Sequence, residues 1–184
     1  MKPLEMLRSE HGLIRQFLEN LTLAEKKMEN NEQPPREFFD KALEFADLFA
    51  TKYHHVKEEH MMFVRLAQKH GGKWDGQIEA LRHQHETGRD YMSAIKSALD
   101  GYESGNAVKR SVVLENLAAF NAMEKDHIHT EDHVFFPMVA KEFTAEEEEQ
   151  LGVEFEKVRQ KVGESTFEEC QKLVGEMGSI LSHM

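Results

Sequence analysis

The sequence predicts an all-α protein, an antiparallel up-down four-helix bundle with additional C-terminal helices. Four long stretches carry apolar residues at helical spacing, and short loops rich in Gly, Asn and Pro separate them. The strict apolar–polar alternation of a half-buried strand does not occur. We expect one domain over residues 1–184, with the core bundle in 1–142 and packing helices in 143–184.

The first two predicted helices have clear ends. Pro3 suits the first turn of a helix, and the apolar spacing then continues as far as Asn30. The second predicted helix covers about residues 35–69, because a Gly-Gly pair at positions 71–72 stops the pattern.

The third and fourth helices are predicted over about residues 73–101 and 106–142, with a glycine-containing break between them. Pro137 lies inside the fourth pattern. Proline lacks the backbone N–H of a helical hydrogen bond and clashes with the preceding turn. The sequence therefore predicts a kink, or an early end of the helix, just past Glu131.

Two capping signals predict the C-terminal helices. Thr144 followed by Glu147 has the spacing of a capping box and opens a fifth helix that runs to about Lys161. Ser165 with Glu168 repeats the signal and opens a sixth.

Composition limits the kinds of function. The formal net charge is −11 and Lys/Arg residues form no stripe, which argues against nucleic acid or an anionic membrane as a partner. No apolar run approaches the roughly 18 residues of a membrane span, and no secretory signal opens the chain, so we expect a cytoplasmic location. With one cysteine, Cys170, a bound metal would use nitrogen and oxygen, for which 11 histidines are available.

The chain repeats itself at an offset of 73 to 74 residues, centred on histidines. Residues 7–11 (LRSEH) match residues 81–85 (LRHQH). Residues 54–63 (HHVKEEHMMF) match residues 127–136 (HIHTEDHVFF). The first helix hairpin thus corresponds to the second.

The repeat chooses between two candidate ligand pairs in the second helix. His54/Glu58 and His55/Glu59 each have the four-residue spacing of one helical face. The first pair has a matching pair in the fourth helix, whereas His55 falls on Ile128. In addition, His55 is turned about 100° away from His54 around the helix. The repeat and the helical geometry therefore select the same pair.

Two facing hairpins would bring four imidazoles and two carboxylates to one level of the core. One metal ion per hairpin, with two imidazoles each and two bridging carboxylates, leaves both ions short of six ligands, so a small molecule can bind. Mixed nitrogen and oxygen ligation favours two iron ions, oxo- or hydroxo-bridged when oxidised, with zinc or manganese as possible substitutes. The predicted metal ligands are His11, His54, Glu58, His85, His127 and Glu131.

These residues resemble the hemerythrin-like family, the bacterial HHE cation-binding domains, over about residues 4–140. The motifs are EH from residue 10, YHHVKEEHMMF from 53, QHETGRD from 84 and DHIHTEDH from 126. The resemblance implies a four-helix bundle with a carboxylate-bridged di-iron site on the same six ligands. The oxygen carriers of that family have a fifth histidine four residues from the third-helix ligand, where this chain has Leu81 and Arg89. This departure favours a more open, more reactive centre over reversible oxygen carriage.

Four neighbouring residues are candidates for contacts to the ligands. His55 and His129 are placed to orient a bound molecule or shuttle a proton. Glu59 and Asp132 match across the repeat and are candidates to accept hydrogen bonds from ligand imidazoles, although a solvated helix face explains them equally well.

Several functions fit these residues. We favour a di-iron protein that binds or reacts with oxygen, nitric oxide or peroxide in a sensing, scavenging or redox role. The alternatives are iron storage, delivery or iron-centre repair, and a metal-dependent regulatory interaction module. A ferritin-like oxidase ranks lower because it needs two E-x-x-H pairs, and one clear pair, Glu124/His127, is present. Whether the protein is an enzyme, and how it associates, the sequence leaves open.

Overall fold

The computed structural model describes residues 2–184, apart from the side chain of His70. These residues form helices and connecting turns without a strand, so the all-α prediction is confirmed. None of the described helices is long and apolar enough to cross a membrane. The helices are α1 (Pro3–Glu29), α2 (residues 36–67), α3 (Asp75–Glu103), α4 (residues 107–142), α5 (Ala145–Val162) and α6 (Thr166–Ser182).

The first four helices pack in antiparallel directions. The end of α1 meets the start of α4, where the Arg110 guanidinium donates to the carbonyl of Met28. The start of α2 meets the end of α3, where Arg36 pairs with Asp100 at 2.6 Å. Short connections reverse the chain direction, at residues 30–35 between α1 and α2 and at residues 104–106 between α3 and α4.

One of the two predicted capping boxes forms. The Thr144 hydroxyl accepts from the N–H of Glu147 at 3.2 Å, and the Glu147 carboxylate accepts from the N–H of Thr144 at 2.8 Å. The box predicted for Ser165 and Glu168 is wrong. The backbone of Ser165 is not extended (φ −91°, ψ 2°), and its hydroxyl donates to the Glu169 carboxylate at 2.6 Å instead.

Two π-helical turns begin at the predicted carboxylate ligands. The N–H of Phe63 donates to the carbonyl of Glu58, and the N–H of Phe136 donates to the carbonyl of Glu131, each five residues back. Such turns are rare in proteins, and those that occur are often found at functional sites. The extra residue in the turn changes which face of the helix the following residues occupy. The π-helical segments are Ala46–His55, Glu58–Met62 and Glu131–Phe135.

The early end predicted at Pro137 is wrong, because α4 continues to Glu142, whereas the alternative of a kink stays a prediction. The π-helical turn shifts the hydrogen bonds by one residue, so the N–H that Pro137 lacks would have bonded to the carbonyl of Asp132. That carbonyl instead accepts from the Arg8 guanidinium at 3.2 Å. A side chain of α1 thus supplies the missing donor.

Two apolar clusters fill the protein on either side of the polar level that holds the predicted ligands. The larger one includes Phe17 and Phe49, and the smaller one includes Phe63. The C-terminal helices complete both clusters, since Met177 of α6 belongs to the larger and Phe155 of α5 to the smaller. The polar level is therefore enclosed by apolar side chains at both ends.

Truncation of Phe155 tests the contribution of α5. Phe155 is fully buried, so Phe155→Ala should lower the free energy of unfolding by about 3–5 kcal/mol, through lost burial and the cavity left behind. Val153 of the same helix is 54% exposed, and Val153→Ala should change it by less than about 0.5 kcal/mol. Urea unfolding measures both. A loss below about 1 kcal/mol for Phe155→Ala would show that α5 is not part of the cooperative core.

Candidate metal centre

The structure brings the six predicted ligands together at one level of the bundle. Helices α1 and α3 supply one histidine each, and α2 and α4 supply a histidine and a glutamate four residues later. Each of the six is at most 1% exposed. Two groups of donor atoms, each spanning no more than 4.8 Å, share Glu58. One adds His11, His54 and Glu131, and the other adds His85, His127 and also His55, which the repeat had set aside.

The four imidazoles form two pairs. The Nε2 atoms of His11 and His54 lie 3.1 Å apart, and those of His85 and His127 lie 3.0 Å apart. Two nitrogens bound to one metal ion at about 2.1 Å, with a right angle between the bonds, would be about 3.0 Å apart. Each pair is therefore spaced for one ion, and each pair belongs to one helix hairpin.

The two carboxylates connect these pairs. Glu58 places Oε1 3.5 Å from Nε2 of His54 and Oε2 3.4 Å from Nε2 of His85. Glu131 reaches both pairs through Oε2, which lies 3.2 and 3.4 Å from one imidazole nitrogen of each. Both side chains are thus positioned to bridge two ions.

Each of the four imidazoles also has a side-chain acceptor at its other nitrogen. Donation through Nδ1 places the lone pair on Nε2, the atom that faces the centre, and fixes the orientation of the ring. The pairs are His11 with Asp132 (3.0 Å), His54 with Glu10 (2.8 Å), His85 with Glu59 (2.7 Å) and His127 with Gln84 (2.8 Å).

Glu59 and Asp132 occupy equivalent positions in the two halves. Each accepts from a ligand imidazole and from an arginine, since Arg89 lies 3.2 Å from Glu59 and Arg15 donates to Asp132. Burial raises the pKa of both carboxyls, but these hydrogen bonds outweigh it and lower each pKa to about 2. Both groups therefore stay ionised beside the imidazoles.

Sequence reasoning missed Glu10 and Gln84 as partners of the ligands. The signal was present, because the two residues match across the repeat and each directly precedes a ligand histidine. Glu10 also accepts from Lys57, which is fully buried with its ammonium 3.5 Å from the ring centre of Tyr53. Burial raises the pKa of Glu10 to about 7, although Lys57 opposes this shift.

The two neighbouring histidines lie in different surroundings. His55 is buried, and its ring stacks on His85 with the ring centres 3.8 Å apart. Its Nδ1 has no hydrogen-bond partner within residues 2–184. The structure does not bring His129 to the ligands. It follows His127 by two residues, about 200° around the helix, and is exposed with its ring stacked on His133.

The donor set fits a pair of cations. All four carboxylate oxygens of Glu58 and Glu131 are buried and lack a hydrogen-bond partner in the described part of the chain. Burial and the neighbouring Glu131 raise the pKa of Glu58 well above its ordinary value. Burial also raises the pKa of Glu131, but His127 and His11 outweigh it and lower that pKa to about 2. Divalent ions would satisfy these oxygens, whose nearest polar neighbours in the described chain are the ligand imidazole nitrogens themselves.

Replacement of Glu58 tests this interpretation in the metal-free protein. The raised pKa means that its stabilising contribution is complete below pH 4.5 and is lost as the pH rises through the folded-state pKa. Glutamine does not ionise, so Glu58→Gln avoids this pH-dependent cost, and at pH 8 it should raise the free energy of unfolding by about 1–3 kcal/mol. The gain should vanish towards pH 4.5.

The matched control is the next residue in the chain. Glu59 has a lowered pKa, so Glu59→Gln should destabilise the metal-free protein above pH 4.5, and this loss should fade as the pH falls towards 2. Urea unfolding with chelator present, over a pH series, measures both variants. Destabilisation by Glu58→Gln at pH 8 would contradict the assignment of an uncompensated carboxylate.

Comparison with known proteins agrees with this geometry. The family model described as "Hemerythrin HHE cation binding domain" matches residues 2–139. An uncharacterized protein of Mycobacterium bovis and two of Mycobacterium tuberculosis are each 26% identical over 165 residues, or 89% of this chain. The chain spans 64% of the length of these relatives. No solved structure matches it. Because the family match covers most of its length, the chain belongs to the hemerythrin HHE cation-binding domain family.

Proposed function

We propose that the protein holds two iron ions and binds or reacts with a small oxidant, which is oxygen, nitric oxide or peroxide. One observation carries the proposal. The oxygens of Glu58 and Glu131, which accept no hydrogen bond from the described chain, lie between two pairs of imidazole nitrogens. The other nitrogen of each imidazole already has a hydrogen-bond partner. The donor atoms are spaced for two cations, and membership of a cation-binding family supports bound metal.

The ligand chemistry supports two ions and favours iron. Four imidazoles and two carboxylates form a mixed nitrogen and oxygen set, which suits iron and would also accept manganese or zinc. Two divalent ions against two carboxylates leave a local charge of about +2 (4 − 2), which favours an anionic or electron-accepting ligand. The ions would supply the redox chemistry, and the protein would position them and exclude water.

The surroundings of the His85/His127 pair support reactivity with a small molecule. Neither residue at the family's fifth-histidine positions offers a ligand atom to the centre. Leu81 is an apolar core residue, 4% exposed, and Arg89 pairs with Glu59. With two imidazoles and shared carboxylates, each ion would keep positions for an exogenous ligand.

The packing favours a resident centre over the alternative functions. Ligands that are at most 1% exposed and oriented by hydrogen bonds are arranged to retain metal, whereas storage or delivery requires exchange. A regulatory module that responds through α5 and α6 would need those helices to move. Both contribute side chains to the apolar clusters, which opposes such movement.

Metal content and absorption test the proposal. Protein isolated without added metal should contain two irons per chain and show near-ultraviolet charge-transfer absorption in air. His54→Ala and His127→Ala should each lower the iron content and remove that absorption. His129→Ala, which alters an exposed histidine of α4, is the matched control and should keep both.

Three results would contradict the proposal: a metal-free bundle, bound zinc without iron, or absorption that survives both ligand substitutions. Rapid loss of iron to a strong chelator, with transfer to an apo-protein acceptor, would favour storage or delivery instead.

A further inference from the structure

A cavity of about 340 Å³ lies beside one half of the metal centre and is formed by α2, α3 and α4. It reaches a ligand imidazole, that of His85, and the stacked ring of His55. Away from these rings, Ala50, Met92 and Phe120 form an apolar wall, and the rest of the lining includes polar and charged side chains, among them Asp47, Arg89 and Lys96. The lining residues that matter here are Ala50, His55, His85, Gly88, Met92 and Phe120.

The other half of the centre has no matching cavity that reaches a ligand in the described part of the chain, although the internal repeat relates the two halves. The residues that match Gly88 and His55 are Ile14 and Ile128, at offsets of 74 and 73. Both isoleucines are buried, with exposures of 5% and 3%. A smaller cavity of about 270 Å³ on that side is lined by Ile128 and by none of the six ligands. The departure from the repeat thus opens one side only.

The cavity is larger than a diatomic gas requires. Its volume corresponds to about ten water molecules and falls within the range of small-molecule pockets. Ala50, Met92 and Phe120 provide apolar contacts along the wall. A molecule that fills this space would therefore have a short hydrocarbon part.

The end of the cavity near the metal centre is polar. His55 lines the cavity there, has no hydrogen-bond partner at its buried Nδ1 among the described residues, and offers a donor atom within 4.8 Å of those of His85 and His127. Glu124, which is 5% exposed, also lines the cavity. A Cβ added at Gly88 would lie 2.9 Å from Oε1 of Glu124, so the glycine makes room for this carboxyl. A small oxygen-bearing head group would meet both side chains.

We propose that this cavity binds a short-chain organic hydroperoxide, with its hydrocarbon part on the apolar wall and its peroxide group between His55, Glu124 and the His85/His127 metal position. The inference rests on the proposed function, because it names the oxidant and the half of the centre that receives it. Hydrogen peroxide has the same head group without the hydrocarbon part. The difference in affinity between the two peroxides therefore measures the contribution of the apolar wall to binding.

Binding is measured on zinc-loaded protein, because zinc does not change oxidation state and cannot consume the peroxide. Titration with tert-butyl hydroperoxide, followed by ¹H–¹⁵N NMR, should shift the amides of Ala50, Met92 and Phe120 in a saturable way. The amide of Leu18, which lines the other cavity, should not move. Hydrogen peroxide should bind at least tenfold more weakly.

Two substitutions fill the cavity from different helices. Ala50→Leu adds bulk to the wall on α2. Gly88→Ala adds a methyl group 2.9 Å from Oε1 of Glu124 and 3.3–3.4 Å from side-chain carbons of Met123 and Phe120, so it also displaces the carboxyl at the polar end. Each should weaken tert-butyl hydroperoxide binding at least tenfold. Gly175→Ala, in α6, is the matched control, because a Cβ there meets nothing within 4 Å, and its affinity should equal that of the unmodified protein.

The outcomes separate this inference from the proposed function. No saturable binding, equal affinity for the two peroxides, or full affinity in a well-folded filled variant would overturn the cavity assignment. Iron content and near-ultraviolet absorption of the unmodified protein test the metal centre independently. If the centre contains no iron, the proposed function fails even where the organic peroxide binds.

Discussion

The constraint on which the rest of the structure depends is the burial of two carboxylates, Glu58 and Glu131, without hydrogen bonds to the described chain. Ionised groups in such a place cost several kcal/mol unless cations accompany them. Nothing in the apolar clusters above and below supplies that charge. The surrounding architecture instead prepares a place for cations. Nδ1 donation turns four imidazole lone pairs inwards, and a π-helical turn starts at each carboxylate.

The two halves of the centre have the same contacts, made by corresponding helices. Where α1 contacts α4 in one half, α3 makes the corresponding contact with α2 in the other half. Arg8 donates to the carbonyl of Asp132, and Arg82 donates to the carbonyl of Glu59, both at 3.2 Å. Phe136 lies parallel to His11, and Phe63 lies parallel to His85. The two halves differ at Gly88 and His55, which correspond to Ile14 and Ile128. This difference gives a cavity that reaches a ligand imidazole in one half only, while the six predicted ligands are the same in type in both halves.

Much of this arrangement could be predicted from the sequence, because apolar periodicity and the histidine repeat are local signals. They gave the helices and the six residues that meet at the centre. Other features depend on contacts between distant parts of the chain. The continuation of α4 past Pro137 is accompanied by a guanidinium of α1 at the carbonyl of Asp132. The absence of a cap at Ser165 has a different cause, the local backbone conformation of that residue, which the spacing of two residues does not determine. The cavity beside His85 depends on the absence of a side chain at Gly88, which composition does not reveal.

The most direct test of the central claim is anomalous X-ray diffraction at the iron absorption edge, on crystals of protein isolated without added metal. We expect two iron peaks per chain. One should lie between the Nε2 atoms of His11 and His54, and the other between those of His85 and His127, with Glu58 bridging them. A single peak, no peak, or peaks at exposed histidines such as His129 and His133 would contradict it.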